Sequence, residues 1–142
     1  MTFLIPSLAR YLGGEWHIVR RIHNRLAGEI GRLEGLARFG PDADRLRYYE
    51  SGEMRFGAYR GAAAQSYLFG FDGDAVAEVR YADGRFFHRL DLSSGIADVA
   101  HQCAADLYRG RYRVLGADRW ALSWQVTGPR KDYLMSTRYE RV

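Results

Sequence analysis

Three polar side chains fall on strand faces that are otherwise apolar. In a two-residue alternation Arg20 lies with Trp16, Ile18 and Ile22, Glu50 with Leu46 and Tyr48, and His88 with Phe86 and Leu90. A buried guanidinium, carboxylate or imidazole is costly unless it is paired or hydrogen-bonded. Two readings follow. The three residues line a cavity in which a few polar groups orient a ligand among aromatic walls. Alternatively, Arg20 and Glu50 form an internal ion pair and His88 is satisfied structurally. Sequence carries no register between strands, so which of them meet stays open.

The densest chemical cluster is His101-x-Cys103-x2-Asp106-x-Tyr108, which holds a base, a thiol, a carboxylate and a phenol. Zinc takes three or four protein ligands. In an extended chain His101 and Cys103 share a face that Asp106 does not, so no metal site is expected. A Cys–His nucleophilic pair needs hydrogen-bond reach that this spacing does not ensure. The plainer expectation has His101 and Asp106 bonding the backbone of an irregular closure, with Cys103 as a small buried apolar residue. Between the last two expected strands, Gly128-Pro129 makes a turn that presents Arg130 and Lys131. Lys131, if desolvated, could form a Schiff base; the plainer expectation is an exposed Lys131–Asp132 charge pair. No phosphate-binding loop, dinucleotide fingerprint, His-Glu-x-x-His or Gly-x-Ser-x-Gly occurs, which removes several large enzyme classes.

The elements that must position these residues read as strands. After a short helical turn near Ser7–Leu12, alternating segments run through Trp16–His23, Gly31–Phe39 and Arg45–Met54, the last two separated by a turn at Gly40-Pro41-Asp42. Gln65–Phe71, Ala75–Tyr81 and Arg85–Leu92 are joined by Asp72-Gly73 and Asp83-Gly84, the strongest short hairpin signals. Ala97–Ala105 reads as strand or short helix. Leu107–Leu115, Arg119–Thr127 and Tyr133–Arg141 complete the chain, with Trp120, Leu122, Trp124 and Val126 on one apolar face. Short strands at spacings of about 8–12 residues with tight turns indicate a single all-β domain, residues 1–142, built as an antiparallel barrel or sandwich.

Gly14-x-Trp16 at the start of the first strand, with an arginine on the last, resembles the lipocalin/calycin signature. That resemblance implies an up-and-down barrel closed at one end by Trp16, with Arg138 or Arg141 packed over its ring. Four segments, Tyr49–Gly52, Asp83–His88, His101–Tyr108 and Trp124–Tyr133, resemble an uncharacterised family of small bacterial proteins with a calycin-like barrel. Ala104-Ala105 departs from the prolines expected at that point of the family pattern. The resemblance implies a fold and no chemistry.

The net charge of +4 comes from 21 basic residues of which only Lys131 is lysine, and they are spread along the chain with no dense block. A solvated basic surface explains this better than nucleic-acid binding. A lone cysteine forms no internal disulfide, and the stretch Met1–Leu12 lacks the charged start and apolar core of a secretion signal. No window is apolar enough for a membrane span. A cytoplasmic location is expected, and the oligomeric state, a homodimer included, stays open.

Two functions compete on these grounds. One is a barrel that binds a small, partly apolar and conceivably anionic ligand, through Arg20, Glu50, Arg85, His88, His101, Asp106, Tyr108, Trp124 and Lys131. The other is a barrel enzyme with His88 or His101 as general base beside Glu50 or Asp106. No cofactor is indicated; haem is conceivable with four histidines, but neither His88 nor His101 sits in a haem motif.

Overall fold

The structure, a computed structural model, describes residues 3–142, so the first two residues of the N-terminal stretch lie outside it. A five-residue helix, α1 (Leu8–Leu12), precedes ten strands. These are β1 (Gly14–Asn24), β2 (Glu29–Asp42), β3 (Arg45–Phe56), β4 (Tyr59–Asp72), β5 (Val76–Tyr81), β6 (Phe86–Asp91), β7 (Ile96–Cys103), β8 (Asp106–Gly116), β9 (Arg119–Gly128) and β10 (Lys131–Arg141). All pairings are antiparallel, in the order β6-β5-β4-β3-β2-β1-β10-β9-β8-β7. The first and last strands therefore meet inside the sheet. The sheet curls until β6 and β7 lie side by side, with no hydrogen-bonded ladder between them among the described residues. This is a nearly closed barrel of the expected class. Among the described residues no helix is long and apolar enough to cross a membrane.

Both Asp-Gly pairs turn as expected, with Gly73 and Gly84 at φ 75° and 92°, where a side chain would be strained. Two expectations need correction. Gly40-Pro41-Asp42 is strand, and the turn comes at Ala43, whose φ is 55°. Pairing with β1 ends at Phe39, so Pro41 lies where a missing N–H interrupts no ladder. Strand β4 also begins at Tyr59, because its Arg-Gly-Ala-Ala-Ala start carries no apolar alternation. Ala97–Ala105 resolves as strand β7 followed by a turn at Ala104, φ 52°.

The long strands bend at Gly35 and Gly52, which face each other across β2 and β3. A Cβ on Gly35 would lie 2.0 Å from the carbonyl oxygen of Ser51 and one on Gly52 would lie 2.3 Å from that of Glu34. Only glycine lets the two backbones fold this sharply, and that bend curls the sheet into a barrel.

One end of the barrel is plugged. Ser7 caps α1 by accepting from the backbone N–H of Arg10, and Leu8, Leu12 and Trp16 are fully buried. The Trp16 indole donates to the carbonyl of Leu12 at 2.8 Å. Trp16 is paired across strands with Arg141, whose guanidinium lies 4.2 Å from the ring centroid. Arg141 also donates to the carbonyls of Tyr11 and Ala117 and to the carboxylate of Asp118. Of the two expected arginines it is Arg141 that closes the end; Arg138 alternates to the outer wall.

Candidate functional site

At the opposite end the loops leave a mouth, and a cavity of about 240 Å³ opens into the barrel there. Its floor is a polar network on three strands. Arg20 on β1 grips Glu50 on β3 with two parallel N–H···O bonds of 2.6 and 2.7 Å, and its Nε–H donates to the Thr137 hydroxyl on β10 at 2.7 Å. The Tyr48 hydroxyl donates to the same carboxylate and lies 2.9 Å from the Tyr139 hydroxyl. The register partners of Arg20 and Glu50 on β2 are Leu33 and Ala37, and the diagonal between them crosses β2 at Gly35, which has no side chain to obstruct the arginine.

Burial alone would raise the pKa of Glu50, but hydrogen bonds and charge from Arg20 outweigh it and hold the carboxyl below its usual range. Burial would likewise lower the pKa of Arg20, and Glu50 more than restores it. The pair is ionised at neutral pH. Tyr139, desolvated and near Glu50, is pushed up to about 12 and keeps its proton.

Above the floor the walls are aromatic. Trp124 lies flat over Gly110, its pairing partner on β8, where a Cβ would come within 2.7–2.8 Å of the ring. Phe87 stacks against Trp124 at 5.2 Å and 13°, and against Tyr81 at 4.6 Å and 18°. Tyr67 and Tyr108 complete the upper wall, while Trp120, stacked on Tyr139 at 3.6 Å and 2°, closes the lower one.

Arg20, Glu50, Tyr108 and Trp124 thus line one cavity. His88 points inward as expected but sits behind the wall, 2 % exposed, with Nε2 3.0 Å from the Tyr112 hydroxyl and no protein partner for Nδ1. Burial pushes its pKa down to about 4, so it is neutral at pH 7. Its neighbour corrects the face assignment. A bulge opposite Val79 and Arg80 turns Phe87 inward beside His88, and Phe86 is exposed. His101 is half-buried at the seam, with its ring 5.3 Å from Phe87 across the gap between β7 and β6.

Four placements differ from expectation. Arg85 lies outside the lumen, exposed, held by Asp83 and packed over Tyr81, because it belongs to the β5–β6 turn. Lys131 pairs with Asp106 at 2.9 Å across the rim, whereas Asp132 pairs with Arg25. The cause is alternation on β10, which sends Asp132 to the outer face toward β1. Cys103 is exposed, because β7 ends there at the rim. Among the described residues no group of three or more His, Cys, Asp or Glu side chains could hold a metal ion.

Tyr48, Tyr67, Phe87, Thr137 and Tyr139 belong to the site and were not singled out from sequence. Tyr48 and Thr137 were within reach of the argument, since each is two residues from an inward-facing group.

A family model matches residues 12–141, nearly the whole chain. The chain belongs to a family of unknown function, DUF6314. No curated protein matches the chain in sequence. Among solved structures, the S-type phycobiliprotein lyase CPES from Guillardia theta superposes with a TM-score of 0.67 at 9% identity, covering 94% of this chain and 90% of that one. A DUF3598-family protein of unknown function from Nostoc punctiforme gives 0.65 at 16% identity, covering 96% of this chain and 50% of the other. The designed barrel EF1p2_mFAP2b, bound to DFHBI, gives 0.53 at 9% identity, covering 97% and 99%. At such identities the family shares with them a fold, the lipocalin-like barrel.

Proposed function

We propose that this protein binds a small, partly apolar ligand in the lumen of its barrel. The observation that carries the reading is the cavity itself: about 240 Å³, open at one end, aromatic along its walls and polar at its floor. A cavity of about 150 Å³ is enough to bind benzene, so this one has room for a one- or two-ring molecule. The designed barrel bound to DFHBI is a precedent for such occupancy on this fold. The enzyme reading finds less support, because Glu50 is committed to Arg20 and Asp106 to Lys131, and no hydrogen bond or ion pair joins either carboxylate to His88 or His101.

The test is native mass spectrometry of the full chain purified from its own host, beside Met135→Trp, which fills the cavity from β10. A co-purifying small molecule on the wild type that is absent from the folded variant supports the reading. A bare wild type that also fails to enhance the fluorescence of prodan, an uncharged two-ring probe, overturns it.

A further inference from the structure

We infer that the lumen selects a flat molecule whose leading end is an uncharged acceptor oxygen, a conjugated carbonyl, held by an N–H group of Arg20 that the protein leaves free. This rests on the lumen-binding reading above and specifies its chemistry.

The hydrogen-bond inventory of the floor makes the case. Arginine has five N–H donors. Three are used, one on Thr137 and two on Glu50. Tyr48 gives its proton to Glu50, so the contact with Tyr139 is one in which Tyr139 donates. Both hydroxyl protons therefore point into the network. The Trp120 indole N–H also lacks a partner but is buried from solvent, so the donor that an entering molecule meets at the floor belongs to Arg20. The side chain of Arg20 is 11% exposed against 3% for Glu50, so an entering molecule meets the guanidinium and not the carboxylate. A guest that approaches this edge needs an acceptor.

Charge decides which kind. Of the residues lining the cavity, Arg20 is the one cation and Glu50 the one anion, and they neutralise each other. Lys131, the nearest candidate for a second cation, is matched by Asp106 at the rim, and Arg85 lies outside with Asp83. A carboxylate guest would shed its water and then face Glu50 across a poorly screened space with no unmatched cation to repay it. A carbonyl oxygen accepts from an Arg20 N–H group without that cost. The shape follows from the walls: Phe87 lies 13° from parallel with Trp124 and 27° from Tyr67, planes that suit a flat conjugated body.

Three probes of matched shape separate the possibilities in calorimetric titrations of the full chain: 2-acetylnaphthalene, 2-isopropenylnaphthalene and 2-naphthoate. The ketone is expected to bind at least about tenfold tighter than the hydrocarbon, the effect of one hydrogen bond to a charged donor, and tighter than naphthoate. In the charge-neutral double variant Arg20→Met with Glu50→Gln that preference disappears while the hydrocarbon still binds. Glu50→Gln alone leaves an unmatched cation and reverses the order in favour of naphthoate. If the hydrocarbon binds wild type as well as the ketone does, the inference falls and the lumen reading stands. Naphthoate binding tightest to the wild type also overturns it, in favour of an anionic ligand. Failure of all three to bind overturns inference and reading together.

Discussion

The two ends of the barrel are built from the same side chains, tryptophan, tyrosine and arginine, to opposite effect. At the plugged end the polar groups of Trp16 and Arg141 are spent on the protein. Trp16 bonds Leu12, and Arg141 ties Tyr11, Ala117 and Asp118 together over the indole, so α1, the β8–β9 turn and β10 are fixed to one ring. At the open end the rings line a space instead of filling one, and Arg20 keeps donors in reserve. The first arrangement buries its aromatics against each other and serves stability. The second stacks comparable aromatics side by side along the wall and leaves room for a guest.

That contrast breaks if the plug proves dispensable. Trp16→Ala is expected to cost about 3–5 kcal/mol, as for other buried aromatics, measured as a lowered midpoint in denaturant unfolding. A midpoint near wild type would mean that the helix and Arg141 close the barrel without the ring.

The floor of the lumen stands between the two ends in character, so its ion pair sharpens the comparison. Arg20→Met or Glu50→Leu alone strands a buried charge and should cost about 3–5 kcal/mol. The double variant should recover much of that loss. If each single variant melts like wild type, the pair is solvated and the floor is as wet as the mouth.

A pH effect of comparable but smaller size should come from the wall. The folded-state pKa of His88 is lowered to about 4 by burial. Its contribution is therefore complete above the unfolded value near 6.5 and drains away as pH falls toward 4, about 3 kcal/mol in all. His88→Gln, which does not titrate, should flatten the melting temperature between pH 7 and pH 4.5 relative to wild type. An unchanged slope would show that His88 is not the group responsible; Glu50, whose lowered pKa makes its contribution vanish only at more acidic pH, supplies no slope in this window.

The smallest effect is expected at the rim. Cys103 is exposed at the end of β7, so Cys103→Ser should shift neither the unfolding midpoint nor probe binding. The thiol should react with 5,5′-dithiobis(2-nitrobenzoate) in the native state. Resistance to the reagent until unfolding would show that the rim is covered.

What the sequence revealed tracks how local the cause was. The Asp-Gly turns and the inward faces of Arg20 and Glu50 follow from alternation or turn chemistry within a few residues, and the plug at Trp16 from the resemblance that Gly14-x-Trp16 carries. Phe87 escaped because Phe86-Phe87 offers two equally apolar phases, and a bulge set by β5 chooses between them. Lys131 was matched with its neighbour Asp132 when its partner, Asp106, lies two strands away in order, a question of register that no single segment holds. The bend at Gly35 and Gly52 was invisible for the same reason, since each glycine explains the other only once β2 and β3 are paired.

The place of β1 beside β10 has a kinetic consequence. Eight of the nine ladders join sequence neighbours and can form as the chain extends, yet the one that joins the two halves links Trp16 to Arg141, the most distant register partners in the fold. Closing so long a loop must precede its reward, which slows folding of non-local topologies. Because β1 starts and β10 ends at the plugged end, a short link between them and a cut in the loop between β6 and β7 would give a permuted chain running β7 to β10 and then β1 to β6. Every ladder in that chain is a hairpin, and the slow step of the native order, the wait for the last strand to find the first, no longer exists.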